Sequence, residues 1–425
     1  MSQRNINQNR RQVLQQSLSL AALGSLPSFA SSQTRPIRIG YVSPQTGPLA
    51  AFGETDNFTV KNIRESLKNG LTIGDKVYQV EIIVKDSQSN PNRAAGVAQE
   101  LINNDKIDLM LCAATPDTTN PVSDQCELAG VPCISTAAPW QAWYFGRGAT
   151  PQKGFDWTYH FFFGLDDGIA VYDGMWKGVN TNKTVGFLFP TDSDGDAWAH
   201  KELGLPPALT KLGYKIVDPG RYTNNTDNFS AHIAAFKKNN VEIITGVMNP
   251  PDWTTFWNQA RQQGYKPKIA TIAKALVFPV AVENLGTGGD GLTSEVVWSR
   301  YHPFKSTVNG MNCSQYADLW EKETKKQTTP ALGWIHALFE VAIDALKRSG
   351  NPQDKKALRD AIAKTNVTTI LGPVNFTNGP MKNVSKILLV GGQWKKGNKF
   401  KYDIDIVSNT TAPNIATTGK LRLIP

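Results

Sequence analysis

From residue 37 onward, short runs of apolar and mostly β-branched residues alternate with stretches whose apolar positions recur every three or four residues. Residues 37–42, 77–85, 108–113 and 131–135 read as strands, and 53–67, 91–104 and 121–128 as the helices between them. Pro91 stands at a helix start, with Ala94, Ala98, Leu101 and Ile102 on one face. After a segment rich in Trp and Gly the alternation resumes, with helix 168–178, strand 184–189, helix 197–212, strand 214–217, helix 229–238, strand 241–247, helix 252–263 and strand 268–272. Helices over 316–326 and 332–349 break the rhythm. A shorter helix at 355–364 follows, then a β-rich tail with strands at 386–390, 400–402 and 404–407. Strands alternating with helices build parallel sheets, and two such runs in tandem predict an α/β fold of two lobes.

Length agrees with that division, since 425 residues exceed the roughly 250–300 at which a single core stops growing. Hydrophobic residues at 40% and charged residues at 19% are those of an ordinary globular chain. The greasiest stretch, 337–346, is cut by Glu340 and Asp344, which excludes a polytopic membrane protein.

Residues 1–30 carry Arg4, Arg10 and Arg11 without an acidic residue, then an apolar stretch, then Pro27-Ser28-Phe29-Ala30. That is the layout of an export signal, and the Arg10-Arg11 pair suits its twin-arginine variant; a plain helical or disordered tail is the alternative. With those three arginines set aside, the net charge of +9 falls to +6, spread over scattered pairs such as Lys237-Lys238 and Lys395-Lys396. A nucleic-acid partner needs a concentrated basic stripe, and none is expected here.

Strings that imitate chemical motifs fail on context. Gly286-Thr287-Gly288-Gly289-Asp290-Gly291 spells a dinucleotide fingerprint, but it follows a helix and precedes a strand, the reverse of the working order, and reads as a turn. Asp192-Ser193-Asp194-Gly195-Asp196 resembles the start of a calcium loop without its downstream Glu, and reads as a helix-capping loop. The five histidines lack metal-ligand spacing, and there is no nucleophile elbow and no phosphate-cradling lysine loop. No metal, no cofactor and no catalytic residue is expected. Cys126 and Cys133 could pair or remain buried thiols.

The run Arg38-Ile39-Gly40-Tyr41-Val42-Ser43-Pro44-Gln45-Thr46-Gly47-Pro48-Leu49-Ala50-Ala51-Phe52-Gly53 resembles the opening of the branched-chain amino-acid type of periplasmic binding proteins, the solute receptors of ABC importers. The likeness continues through Asn90-Pro91, Asn120-Pro121-Val122-Ser123, Gly130-Val131-Pro132-Cys133-Ile134-Ser135, Asp227-Asn228-Phe229-Ser230, Gln259-Ala260-Arg261-Gln262-Gln263-Gly264 and Ile370-Leu371-Gly372-Pro373-Val374-Asn375-Phe376. These strings occur in order along nearly the whole chain. The resemblance implies a type I clamshell of two Rossmann-like lobes joined by three hinge crossovers near 160–164, 297–301 and 369–371. The expected divisions are 31–161 and 299–369 for the first lobe, and 162–298 and 370–425 for the second. In open α/β sheets the ligand binds outside the carboxyl ends of the strands, which agrees.

Carried over position by position, the resemblance puts Phe52 over the ligand. It sets Thr115, Asp117 and Thr118 at a helix start that holds a carboxylate, and Ala137 and Ala138 in the next loop. Asp194 and Asn249 fall in second-lobe loops, and Lys274 falls at or beside a position where the family has an acid for the ligand's ammonium. A lysine there favours an anion over a zwitterionic amino acid. The family's first-lobe disulfide would need a cysteine where this chain has Ser89, so Cys112 lacks that partner. Among the aromatics Trp140, Trp143, Tyr144, Phe145, Phe155, Trp157 and Tyr159, Trp140 either faces the ligand or belongs to a core, and Trp298 lies at an expected hinge. Arg147 either reaches a ligand carboxylate or is exposed. The expected function is a periplasmic, monomeric substrate-binding protein that hands a small organic solute, a carboxylate with or without an aromatic ring or an amino-acid-like molecule, to the permease subunits of an ABC importer. A sensor on the same fold, or an exported cleft enzyme, is the alternative.

Overall fold

The computed structural model describes residues 35–425, so the export-signal reading at residues 1–30 lies outside the described residues. Two large sheets organise the chain. The first has six parallel strands in the order Val384–Ser385, Thr158–Phe161, Cys133–Thr136, Leu109–Cys112, Ile37–Ser43 and Val80–Asp86. The second has seven. Thr293–Val296, Ile269–Lys274, Ile243–Met248, Thr184–Leu188 and Lys215–Val217 run parallel, and Val390–Lys396 with Tyr402–Ser408 adds an antiparallel hairpin at one edge.

The central strands are apolar on both faces because helices cover both sides; every residue of Ile243–Met248 and Ile269–Lys274 is buried. Gly246, at φ 143°, packs so closely that an added Cβ would stand 2.0 Å from the Leu188 carbonyl oxygen. Only glycine fits there. Helix starts follow local chemistry. Asn90 accepts the Arg93 N–H at 3.0 Å ahead of Pro91–Asn103, and Asp192 accepts the Gly195 N–H at 2.8 Å ahead of Ser193–Trp198. The loop with calcium-like spacing is therefore a helix cap. The expected helix 197–212 is two helices, Ser193–Trp198 and Leu205–Lys211, because Gly204-Leu205-Pro206-Pro207 interrupts the first and starts the second. The buried Ala331–Arg348 helix packs on the first sheet, where Phe339 meets Tyr41 with ring centroids 5.5 Å apart.

The chain leaves the first sheet after Phe161, returns after Val296, and leaves again between Ser385 and Val390. This last passage corrects the expected 369–371. Gly372–Asn375 forms a separate two-stranded hairpin with Asn366–Thr369, and Val384 and Ser385 still pair with His160 and Phe161 of the first sheet.

Candidate functional site

A cavity of about 40 Å³ lies between the carboxyl ends of the two sheets. Its first wall comes from loops after first-sheet strands: Phe52, Thr115, Ala137 and the pair Phe162-Phe163, with Trp334 from the Ala331–Arg348 helix. The second wall carries Asp194, Trp198, Lys274 and Glu295 among smaller apolar side chains.

Three lining residues hold left-handed backbone without being glycine: Thr115 at φ 63°, Ala137 at 65° and Lys274 at 71°. Such conformations are costly and persist where surrounding structure fixes them, and here they cluster around one cavity. The Thr115 N–H donates to the Ala137 carbonyl at 2.9 Å, tying the two first-wall loops together. Thr115 Oγ1 and Trp334 Nε1 are buried yet have no hydrogen-bond partner among the described residues. An unpaired buried donor carries its full desolvation penalty, so both groups favour a polar atom in the cavity.

The second wall is charged and internally compensated. Lys274 Nζ lies 2.7 Å from Asp194 Oδ2, each side chain only 5% exposed. Against the desolvation that would lower it, the carboxylates of Asp194, Asp192 and Asp117 hold the Lys274 ammonium above the ordinary lysine range. The Lys274 N–H donates to Glu295 Oε1 at 3.2 Å, while Glu295 Oε2 accepts from the Tyr172 hydroxyl at 2.7 Å and from Ser294 Oγ at 3.1 Å. Burial pushes the Glu295 carboxyl above its usual range despite those bonds. The expectation of Lys274 as a free cation for an anion is corrected: its charge is already taken by Asp194.

Of the residues singled out in the sequence, Phe52, Thr115, Ala137, Asp194 and Lys274 meet at this cavity. The others do not line it. Asp117 sits half-buried in the first turn of Pro116–Ala129, its carboxyl pushed up by burial against the pull of Lys274. The hydroxyl of Thr118 is turned to Ser87 Oγ, 3.2 Å away. Ala138 presents its carbonyl to His160 Nε2 at 2.8 Å. Trp140 packs in a separate apolar cluster with Trp143 and Tyr144, stacked edgewise on Tyr144. Asn249 precedes the Pro250–Gln262 helix. Trp298 packs against Gly333, where an added Cβ would meet its ring at 2.2 Å.

Arg147 is neither exposed nor aimed at a ligand. Its side chain is 1% exposed, bonds Asp124 Oδ1 at 2.7 Å and Thr158 Oγ1 at 3.0 Å, and lies 3.8 Å from the Phe155 ring centroid. All four cysteines are free and buried. Among the described residues no group of His, Cys, Asp or Glu is placed to hold a metal, and no helix is long and apolar enough to cross a membrane.

Phe162, Phe163, Trp198, Glu295 and Trp334 line the cavity although the sequence did not single them out. The Phe161-Phe162-Phe163-Gly164 run at an expected crossover was an available signal for two of them. Trp334, inside a helix of which nearly every residue is buried, offered none.

Comparison with known proteins places this arrangement. A family model described as periplasmic binding protein matches residues 36–397. The chain is 22% identical over 434 residues to Leu/Ile/Val-binding protein homolog 7 of Brucella abortus (strain 2308), covering 96% of this chain and 98% of that one. A leucine binding protein from Thermotoga maritima superposes with a TM-score of 0.72 at 19% identity, over 88% of this chain and 99% of its own. An ABC-transporter solute binding protein from Rhodopseudomonas palustris BisB5, in complex with 3,4-dihydroxy benzoic acid, does so with a TM-score of 0.68 at 19% identity, over 89% and 99%.

Proposed function

This chain belongs to the periplasmic binding protein family, and from that premise we propose that it is the receptor of an ABC importer, capturing a small carboxylate with an apolar or aromatic body and passing it to a membrane permease. The observation that carries the ligand class is the pair of unpartnered buried groups, Thr115 Oγ1 and Trp334 Nε1, on an otherwise apolar first wall. Indole N–H can only donate, so Trp334 requires an acceptor, and the threonine hydroxyl can donate beside it. The start of the Pro116–Ala129 helix adjoins Thr115 and adds a partial positive charge. Two donors and a helix start suit a carboxylate, while Phe52, Phe162 and Trp198 suit a branched chain or a flat ring. The Thermotoga and Rhodopseudomonas proteins bind leucine and 3,4-dihydroxy benzoic acid, both carboxylates on apolar bodies.

A ligand touching both walls favours the state in which they meet, which is how such a receptor signals occupancy. The protein acts as a monomer without turnover. The Ser135 Oγ–His160 Nδ1 contact of the first sheet, at 2.8 Å, is fully buried, and His160 Nε2 is held by the Ala138 carbonyl. Delivery to the periplasm rests on residues 1–30, with Arg10-Arg11 as a twin-arginine signal.

The test is calorimetric titration of the purified protein with L-leucine, 3,4-dihydroxybenzoate and the corresponding amides. Hydrogen bonds to a charged group contribute about 1.5–3 kcal/mol, so each amide should bind about 10- to 100-fold more weakly than its acid. Equal affinities for acid and amide would overturn the assignment.

A further inference from the structure

We propose that Asp194, by pairing with Lys274, decides which second polar group the cavity accepts: a hydrogen-bond donor such as an ammonium or hydroxyl, and not a second carboxylate. This rests on the receptor reading above and deepens it, since a carboxylate held at Thr115 and Trp334 directs the far end of the ligand to the second wall.

The geometry that carries it is local to that wall. Lys274 ends the Ile269–Lys274 strand and Asp194 stands in the first turn of Ser193–Trp198, which follows the Thr184–Leu188 strand of the same sheet. Their ion pair thus persists whether the lobes are open or closed. The left-handed backbone at Lys274, fixed through its N–H to Glu295, aims the side chain at Asp194. Among the described residues Lys274 is the one cation lining the cavity, against the carboxylates of Asp194 and Glu295, with Asp117 and Asp192 close enough to act on the same lysine. No positive charge is left over. Asp194 Oδ1, in contrast, makes no hydrogen bond among the described residues, since only Oδ2 is engaged by Lys274. A donor entering this end meets a free acceptor, whereas a second carboxylate meets the same oxygen with no donor and no unpaired cation to receive it. The sequence alone pointed the other way, because the lysine is visible at its position and its partner lies 80 residues earlier in the chain.

The experiment compares 4-hydroxybenzoate with terephthalate, which differ only in exchanging the far hydroxyl for a carboxylate, on wild type and Asp194→Asn. Wild type should prefer 4-hydroxybenzoate. In Asp194→Asn the freed ammonium should shift the ratio of the two affinities toward terephthalate by about tenfold or more. An unchanged ratio overturns the proposal. Because Asp194→Asn leaves a buried lysine unpaired, the double variant Asp194→Asn/Lys274→Met is measured alongside: with both charges gone its preference should flatten, and a preserved wild-type preference also overturns the proposal. If wild type binds neither compound, the ligand class proposed above falls on its own. Charge selection is then judged by whether Asp194→Asn acquires terephthalate binding that wild type lacks.

Discussion

The two walls of the cavity solve opposite problems. The first is uncharged, built on strained loops and an aromatic helix, and leaves Thr115 Oγ1 and Trp334 Nε1 without partners. The second concentrates a lysine and two carboxylates, yet pairs Lys274 with Asp194 at 2.7 Å and surrounds Glu295 with three donors. Counting charges would assign recognition to the second wall. On the function proposed above, recognition follows what is left unsatisfied, the first wall's neutral donors together with the free oxygen of Asp194. Buried charges that compensate one another contribute little net attraction for a ligand, whereas a desolvated donor without an acceptor has free energy to gain.

The largest effect that could break this contrast is on stability. Lys274→Met leaves Asp194 buried without its cation, which should cost about 3–5 kcal/mol in urea unfolding, and Asp194→Asn should cost a similar amount. The double variant should recover most of the loss. Single variants as stable as wild type would mean that the charges are not paired in solution, and the contrast would collapse.

A smaller effect sharpens the first wall. Thr115→Val keeps shape and branching and removes only a hydroxyl without a partner among the described residues, so the melting temperature should hold or rise while carboxylate affinity falls by about tenfold or more. Loss of stability instead would show that the hydroxyl serves the fold. Smaller still is a pH effect from a carboxylate behind the first wall. Glu340 is held by the N–H groups of Thr307 and Ile370 and by the Thr307 hydroxyl, and burial, working against those bonds, raises its carboxyl from the ordinary 4.5 to about 7. Between those values the folded protein keeps a proton that the unfolded chain releases, so this contribution to stability is complete at the acidic end and is lost as pH rises to about 7. Unfolding midpoints of wild type against Glu340→Gln across that window should show a more negative slope with pH in wild type; parallel curves would refute it. The smallest expected signal is chemical. Native protein should leave its four buried thiols unmodified by iodoacetamide, and all four should react after unfolding in urea.

The alternation of strands and helices, the break at 316–349 and the ordered likeness to the periplasmic binding proteins were legible in the chain, because period and punctuation are local properties. They fixed two α/β lobes and the loops that meet between them, and so brought Phe52, Thr115, Ala137, Asp194 and Lys274 into consideration. What the chain could not carry was direction and pairing. Trp140 and Arg147 look like binding residues in sequence and are buried in a satellite core, since an aromatic or an arginine reads alike whether it faces a cleft or a loop. Trp334 does the reverse, sitting in an apolar helix and turning its indole to the cavity. The last crossover falls past Ser385 because a two-residue strand there completes the first sheet, and pairing is decided between segments far apart. The charge of Lys274 belongs to the sequence; that it is neutralised belongs to the tertiary structure, which alone brings a carboxylate from 80 residues away to within hydrogen-bonding distance.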